Sequence, residues 1–467
     1  MQKNLIKIQI ILLIIFSFTV NFYYGSLGVL TTDTFSHFDS TYKLLEGIVI
    51  FRDFWNVSGA IIDYIQLPFF YFFGANWTSY ILQSSIFNCC ITICTFFFFK
   101  NLNLSNFFSF FYSLCFSLLA NPSMGTPFID HYSTFFSLLG FYCFFFAIKK
   151  EKNFYWFLLP ILFFIAFFSK QTPSSYIIFI IIVMTLFYLI IFKKFYLIKP
   201  LILGISLSLS IFIVFLFTNE IEIQDFITQY ILFPQTIGST RFNEFKLNFN
   251  NVIFNFKFIH IFILTLIFIT FKNLNLNLEK NKKVIITNLT LVLFSILLIF
   301  HQIYTKNFIF IFFLIPLLGG VIHSQVMSYF HNRKSFLIIL VALIIFTSIK
   351  YHQRFNVERK MLNLQNVNLK MAIDAKKIDK KLSGLKWITY GTLEPSEEIE
   401  LIKESLRIIG DDKQEIMFLS HYNFFSTILE KTLYSPSRWP TDLVSNPDKQ
   451  NKFYKNYVSF TKNLILK

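Results

Sequence analysis

Apolar runs separated by short polar segments recur along this chain from residue 8 to residue 349. Each run is about 17 to 22 residues long, which is the length of α-helix that crosses a hydrocarbon core of about 30 Å. The pattern predicts an all-α polytopic membrane protein with about eleven transmembrane helices. The predicted spans are 8–24, 79–99, 104–120, 132–148, 154–169, 175–192, 200–218, 252–271, 284–301, 307–327 and 335–350.

Composition agrees with a membrane protein and argues against a soluble one. The 467 residues are 55% hydrophobic and only 15% charged, whereas a soluble domain is about one quarter charged. The N-terminal segment has lysines and an apolar run but no small-residue cleavage site, so it predicts an uncleaved first helix. All five cysteines lie within apolar runs, which excludes disulfides and cysteine-based metal sites from the predicted aqueous loops.

The distribution of basic residues predicts the orientation of the helices. With the N-terminus inside, the inner segments contain fifteen Lys and Arg residues, and the outer loops before residue 351 contain six. The positive-inside rule then places the N-terminus in the cytoplasm, and an odd number of spans places the C-terminus outside. Acidic residues have the opposite bias, which indicates either an outward-facing polar site or simply longer, solvated outer loops.

The first predicted outer loop, residues 25–78, is the longest early polar interruption and contains five acidic residues. Between residues 33 and 47, apolar positions recur at helical spacing on one face. These positions are Phe35, Phe38, Tyr42 and Leu45. They predict an amphipathic helix lying on the outer membrane surface. Residues 54–73 predict a second such helix, which ends at Pro68 and Gly74.

The region from residue 351 to residue 467 is polar and is predicted to be a separate outer domain after a transmembrane domain of residues 1–350. Residues 386–391 and 415–420 predict short strands, and residues 396–410 and 423–431 predict helices. Residues 351–385 predict a helical connector. Together these elements predict a small α/β domain.

One ordered set of residues in the first outer loop carries a family resemblance. The set is Asp33, Gly47, Phe51-Arg52-Asp53-Phe54, Gly59 and Phe73-Gly74. It resembles the first outer loop of bacterial integral-membrane glycosyltransferases of the GT-C superfamily, in the RgtA/B/C/D-like and protein-mannosyltransferase-like branch. Residues 167–173 are also similar to that family, and the resemblance covers about residues 5–330. The chain departs from many relatives at Thr34, where they have Glu, and at Ala60, where they have Pro.

The resemblance implies transfer of a sugar from a polyprenyl-phosphate-linked donor to a cell-envelope acceptor, which is a glycan, a lipid or a protein. The reaction would occur on the outer face of a bacterial inner membrane. The implied partners are that donor, that acceptor and the lipid bilayer, and we expect no nucleic acid.

Such a reaction needs a base for the acceptor hydroxyl and positive charge for the departing phosphate. The resemblance makes Asp33 the expected general base, although a carboxylate at a helix start can also be only a cap. Asp53 is the second catalytic candidate. Because it directly follows Arg52, the two side chains could diverge, one toward phosphate and the other toward the sugar or a metal. The structural alternative is an ion pair between them or a carboxylate that fixes the loop. The candidates for donor phosphate binding are Arg52, Lys170, Arg241 and Lys306. The candidates for substrate binding are His37, Asp130, His131 and Gln171.

A divalent cation is left open by the sequence. Asp33 and His37 are four residues apart on one helix face, and they could supply two ligands. No third ligand is identified, so neither a metal nor another cofactor is assigned.

Other membrane classes are alternatives. A transporter or flippase is expected to carry ionisable groups near the bilayer midplane and an internal repeat, and the chain has neither feature. A lipid-linked oligosaccharide polymerase or ligase uses similar donors but would have its large outer loop late in the chain. A non-enzymatic scaffold leaves the acidic first loop unexplained.

Overall fold

The computed structural model describes residues 2–274, 278–329, 333–359, 364, 367–391, 393–442 and 444–465. Long helices dominate these ranges. The helices of the N-terminal part are α1 Gln2–Gly25, α2 Thr31–Leu45, α3 Ile61–Phe73, α4 Trp77–Asn101, α5 Asn106–Leu119, α6 Ile129–Lys150, α7 Asn153–Ser169, α8 Gln171–Phe192 and α9 Ile198–Thr218. The following helices are α10 Ile223–Ile227, α11 Phe233–Asn243, α12 Lys257–Leu274, α13 Leu278–Thr305, α14 Leu314–Tyr329 and α15 Lys334–Tyr351.

Each of the eleven predicted spans falls on one of these helices. Seven segments in the described ranges are long and apolar enough to cross a membrane, and they belong to α1, α4, α6, α8, α9, α13 and α15. The other four predicted spans correspond to α5, α7, α12 and α14, which have 14, 17, 18 and 16 residues. The chain is therefore a multi-pass helical membrane protein, while the count of eleven spans is not confirmed.

The surface of α9 indicates a lipid environment. Leu203, Ile213 and Phe217 are exposed by 53%, 64% and 85% of their surface. Such a continuous apolar face is unfavourable in water, and a bilayer removes that cost.

The two ends of the helix bundle carry different loops. At one end, the carboxylate of Glu151 after α6 accepts ion pairs from Lys194 and Lys283, which precede α9 and lie in α13. All three residues belong to predicted inner segments. Segments of several predicted outer loops meet at the opposite end.

Helix α2 forms as predicted, but the expected position on the membrane surface is wrong. The ten residues from Thr34 to Lys43 are all buried. The ring of Phe35 lies 4.4 Å from that of Phe424 and 5.9 Å from those of Trp77 and Trp387, measured between centroids. The amphipathic face therefore packs against α4 and the C-terminal region rather than against lipid.

The second predicted surface helix is shorter than expected. Helix α3 begins at Ile61, and Pro68 lies within it rather than ending it. Its last three residues, Tyr71, Phe72 and Phe73, are 72%, 74% and 61% exposed. Only this end of α3 has the exposed aromatic surface expected of an interfacial helix.

The C-terminal region has less strand than predicted. Ile373–Asp374 pairs antiparallel with Lys386–Trp387, and the predicted strand at 415–420 is reduced to one bridge between Met417 and Tyr434. The remaining helices are α16 Pro395–Asp411, α17 Phe425–Leu429 and α18 Tyr454–Ile465. The predicted connector contains short 3-10 and π turns, and its residues 360–363 and 365–366 lie outside the described residues.

Backbone hydrogen bonds join this C-terminal region to the first loop. The amide of Gly28 donates to the carbonyl of Lys386 at 3.0 Å, and the amide of Lys386 donates to the carbonyl of Ser26 at 2.8 Å. The amide of Val29 donates to the carbonyl of Ile388 at 3.2 Å. The C-terminal region therefore covers the end of the helix bundle at which the first loop lies.

Candidate functional site

A cavity of about 540 Å³ opens at the end of the bundle where the predicted outer loops meet. Its walls come from α2, the start of α6, the junction of α7 and α8, and α11, together with residues 57–58, 230–231, 304–305 and 307 and the C-terminal residues Trp439, Asp442, Val444 and Ser445. Six of the ten predicted site residues line it, namely Asp33, His37, Asp130, Lys170, Gln171 and Arg241. Residues from widely separated parts of the chain thus line one space.

Asp33 is the third residue of α2 and is not its cap. The residue before the helix is Leu30, which makes no side-chain cap. Asp33 is partly exposed, and no side chain in the described ranges donates a hydrogen bond to its carboxylate. Burial raises the pKa of Asp33 to about 6. The positive charge of Lys170 opposes this shift, and the negative charges of Asp130 and Asp442 add to it. The carboxylate can therefore accept a proton near neutral pH.

Lys170 is fixed by an ion pair at the junction of α7 and α8. Its Nζ lies 2.7 Å from Oδ2 of Asp130, whose side chain is only 4% exposed. The other carboxylate oxygen of Asp130 lies 3.7 Å from Nε2 of His301, which is too long for a hydrogen bond. A lysine ammonium has three donors, and one of them is used here. The remaining donors are available to an anionic ligand in the cavity.

Arg241 adds a second positive charge to the cavity wall. It lies in the last turn of α11, and its side chain is exposed. In the part of the chain that the structure describes, the guanidinium has no hydrogen bond or ion pair. Helix α11 is tied to α13 by a hydrogen bond of 2.6 Å from the Tyr304 hydroxyl to the carbonyl of Gly238. The fork of Arg241 is therefore free to bind phosphate oxygens.

Gln171 lines the cavity but also ties its walls together. Its amide nitrogen donates to the carbonyls of Val57 at 2.9 Å and Tyr230 at 2.8 Å. Those bonds join α8 to the first loop and to the turn before α11. Gln171 positions the walls with its nitrogen, and only its oxygen is left for a substrate.

His37 is held by a buried network that sequence reasoning did not find. Its Nδ1 lies 3.1 Å from Oδ1 of Asp63, and Oδ2 of Asp63 lies 2.6 Å from Nη2 of Arg438, with both of these side chains fully buried. The hydroxyl of Ser40 donates to the same carboxylate at 2.6 Å. Asp63 therefore anchors the site, although it is not among the residues that the sequence predicts for it.

The network sets the tautomer of His37. A carboxylate only accepts hydrogen bonds, so Nδ1 must carry the proton that it shares with Asp63. Nη1 of Arg438 lies 3.4 Å from the same nitrogen but makes its shorter contact, 3.0 Å, with the hydroxyl of Ser58. Burial lowers the pKa of His37, although Asp63 opposes this effect. The ring is therefore neutral, and its Nε2 has no hydrogen-bond partner among the described residues.

Arg52 and Asp53 do not join this cavity. We expected their side chains to diverge toward ligands, but Nη2 of Arg52 lies 2.6 Å from Oδ2 of Asp53. The same oxygen accepts a hydrogen bond of 2.8 Å from the amide of Val49. Arg52 also donates to the carbonyls of Gly47 and Asn219. The pair fixes the loop after α2, as the structural alternative held, and the predicted shared site with Asp33 is wrong for these two residues.

Two further candidates also lie outside the cavity. Lys306 forms an ion pair of 3.0 Å with Glu244, and their side chains are 66% and 60% exposed. Such a surface pair contributes little to stability. His131 is fully buried, its Nε2 lies 3.4 Å from the Ser123 hydroxyl, and it packs against Phe310. Its surroundings are those of an interior side chain.

The described residues contain no group of three or more His, Cys, Asp and Glu residues that could hold a metal ion. Asp33 and His37 share a helix face as expected, and no third ligand joins them there. A divalent cation therefore has no ligand set in the described part of the chain.

The C-terminal region supplies residues that were missed entirely. Trp439, Asp442, Val444 and Ser445 line the cavity. The carboxylate of Asp442 accepts hydrogen bonds from the amide of Val444 at 3.0 Å and from the hydroxyl of Ser445. Arg438 and Trp439 are adjacent in a turn-rich stretch between residues 435 and 447. This pair is the sequence signal that could have identified the stretch as part of a site. Nothing local connects that stretch to α2.

Comparisons with known proteins leave the family open. No protein-family model matches the chain. No curated protein matches it either.

Proposed function

We propose that this protein is a glycosyltransferase that moves a sugar from a polyprenyl-phosphate-linked donor to a cell-envelope acceptor. The site lies on the outer face of a bacterial inner membrane, with the N-terminus in the cytoplasm and the C-terminal region in the periplasm. The observation that carries the proposal is the cavity that joins the unpaired carboxylate of Asp33 to the cations Lys170 and Arg241.

The chemistry assigns one task to each group. An acceptor hydroxyl attacks the anomeric carbon of the donor, and the bond between that carbon and the phosphate oxygen breaks with its electron pair leaving on the phosphate. Asp33 accepts the hydroxyl proton as general base. Lys170 and Arg241 stabilise the charge that develops on the departing phosphate. Because Lys170 is already held by Asp130 at 2.7 Å, it need not reorganise during the reaction.

The position of the cavity supports transfer over transport. A transporter is expected to bind its substrate near the bilayer midplane, whereas the walls here come from helix ends, loops and the C-terminal residues Trp439, Asp442, Val444 and Ser445. A polyprenyl phosphate at headgroup depth would reach such a cavity with its chain in lipid. A polymerase or ligase would share this donor chemistry and differ in its acceptor.

The test uses purified full-length protein in lipid nanodiscs with a panel of polyprenyl-phosphate hexoses and pentoses. Release of polyprenyl phosphate and formation of a glycosylated acceptor are measured together. We expect activity with at least one donor and a loss of at least a hundredfold in Asp33→Asn, as general base catalysis contributes about 10²–10⁴-fold. Asp53→Asn is the matched control, because it makes the same chemical change outside the cavity.

Two results would count against the proposal. If no donor is bound or consumed, the enzyme class is wrong. If Asp33→Asn keeps full activity, the base is misassigned.

A further inference from the structure

Two residues in one wall of the cavity each have a polar atom that the proposed transfer reaction does not use. These atoms are Nε2 of His37 and the indole nitrogen Nε1 of Trp439. Both residues line the cavity, and their exposed fractions are only 1% and 7%. Within the described ranges neither atom has a hydrogen-bond partner. Buried polar atoms are usually paired, so this wall is suited to a polar ligand.

The two atoms differ in what they offer. Nδ1 of His37 is turned toward Asp63 and carries the ring proton, so the opposite ring edge presents Nε2 as a lone-pair acceptor. The indole N–H of Trp439 can only donate. The two rings pack edge to face with their centroids 6.3 Å apart. The wall thus combines an acceptor, a donor and an aromatic surface.

Asp33 extends this wall by one helical turn. It precedes His37 by four residues in α2, so their Cβ atoms are about 5–6 Å apart on the same face. Two hydroxyls on adjacent carbons of a ring can donate to such a pair through hydrogen bonds of about 2.7 Å. A single hydroxyl cannot satisfy both acceptors, because it has only one proton.

We propose that the wall formed by α2 and Trp439 is an acceptor subsite that binds a sugar ring through two neighbouring hydroxyls. One hydroxyl donates to Asp33 and loses its proton in the transfer. The neighbouring hydroxyl donates to Nε2 of His37, and the indole N–H of Trp439 donates to an oxygen of the same sugar. This proposal rests on the proposed function, because the role of Asp33 as base identifies the bound sugar as the acceptor.

Asp63 and Arg438 are positioning residues in this arrangement. Asp63 fixes the tautomer of His37, and Arg438 holds Asp63 through the fully buried pair at 2.6 Å. The charged groups that face His37 are Asp63 from α3 and Arg438 from the C-terminal region, with Asp33 on its own helix. A protein serine or a simple lipid alcohol would leave Nε2 unpaired, so the site should discriminate against them.

The test measures binding of small hydroxyl compounds to the full-length protein in nanodiscs by saturation-transfer NMR. The probes are trans-1,2-cyclohexanediol and cyclohexanol, followed by methyl hexopyranosides and their monodeoxy analogues. We expect wild-type protein to prefer the diol about tenfold, which corresponds to one net hydrogen bond. His37→Asn keeps an N–H for Asp63 but has no atom at Nε2, and it should lose that preference.

Two further variants keep the test decisive. His37→Gln can place its amide near Nε2 and should recover part of the preference. Trp439→Phe keeps the aromatic ring without the N–H and should weaken methyl glycoside binding several-fold. Binding of decaprenyl phosphate alone reports folding and should not change in any of them. If His37→Asn fails that folding control, Trp439→Phe decides.

The outcomes separate this proposal from the proposed function. Equal binding of diol and mono-ol by wild-type protein, or an unchanged preference in His37→Asn, overturns the acceptor subsite even if a donor is consumed. Unchanged glycoside binding in Trp439→Phe overturns it as well. If a His37-dependent diol preference is present while no donor is ever consumed, the sugar-binding wall stands and the transferase assignment fails.

Discussion

Replacing Asp33 with asparagine should stabilise the folded protein at alkaline pH while it abolishes transfer. Burial raises the pKa of Asp33 from 3.8 to about 6. Because the folded state holds the proton more tightly than the unfolded state, Asp33 favours folding below pH 4, and that contribution is lost as the pH rises through about 6. Above that pH the ionised carboxylate is a net cost, which asparagine does not have.

The size of this effect follows from the pKa. The rise in the pKa of Asp33 from 3.8 to about 6 corresponds to a free energy of about 3 kcal/mol as an upper bound. Asp33 is partly exposed to the cavity, and solvent screens such a charge, so we expect about 1–2 kcal/mol. Because the unfolding entropy grows with chain length, the variant should then unfold at a temperature only about 1–2 °C higher than wild type at pH 8.

The assay is thermal unfolding of wild type, Asp33→Asn and Asp53→Asn in the same detergent at pH 4 and pH 8. We expect the first variant to gain stability only at pH 8. Asp53→Asn should lose stability at pH 8, because its carboxylate is held by Arg52 and the amide of Val49. A variant at position 33 that is no more stable than wild type at pH 8, or that gains equally at pH 4, would refute the reasoning.

The remaining predictions concern other charges of the site. Transfer activity should rise with pH through about 6 as Asp33 ionises, and a rate that is flat from pH 5 to pH 8 would argue against this base. Lys170→Met should weaken decaprenyl phosphate binding at least about tenfold by removing a phosphate donor, whereas Lys170→Arg keeps the charge and should retain most of the binding measured by titration. Arg438→Met leaves the buried carboxylate of Asp63 without its counter-ion and should lower the free energy of unfolding by about 3–5 kcal/mol. Adding Asp63→Asn should recover part of that loss, and additive losses in the double variant would show that the two side chains are not coupled.

The helices could be predicted from sequence because length and hydropathy alone determine them. Each predicted span contains a helix, including the short α5 and α7, since a long apolar segment must satisfy its own backbone hydrogen bonds. The predicted span 307–327 is an exception at its start, because α14 begins only at Leu314. The amphipathic pattern of α2 was also sufficient to predict a helix. The pattern does not say what covers the apolar face, because lipid and Trp387 or Phe424 are equally apolar partners for Phe35.

The candidate site was predictable only where its residues come from predicted outer loops. Lys170 directly follows a predicted span, and Asp33 and Arg241 lie in predicted outer loops, so all three were expected on the same side of the membrane. The pairing of Asp63 with Arg438 was not predictable, since 375 residues separate them. Arg52 and Asp53 show the opposite case: the sequence suggests that these adjacent side chains diverge, whereas they form an ion pair with each other. The positive φ of 72° at Phe51 belongs to a tight turn, and within that loop the two side chains meet.

The proposed function depends on one cavity that brings Asp33, as the base, together with cations that bind a lipid-linked phosphate. The most direct measurement is release of polyprenyl phosphate from a polyprenyl-phosphate sugar by purified protein, compared among wild type, Asp33→Asn and Lys170→Met. We expect wild-type protein to release polyprenyl phosphate in the presence of an acceptor. Asp33→Asn should lose at least about a hundredfold of this activity while it still binds the donor. Lys170→Met should bind the donor more weakly. Equal release by all three proteins, or no release and no donor binding by wild type, would contradict the proposed function.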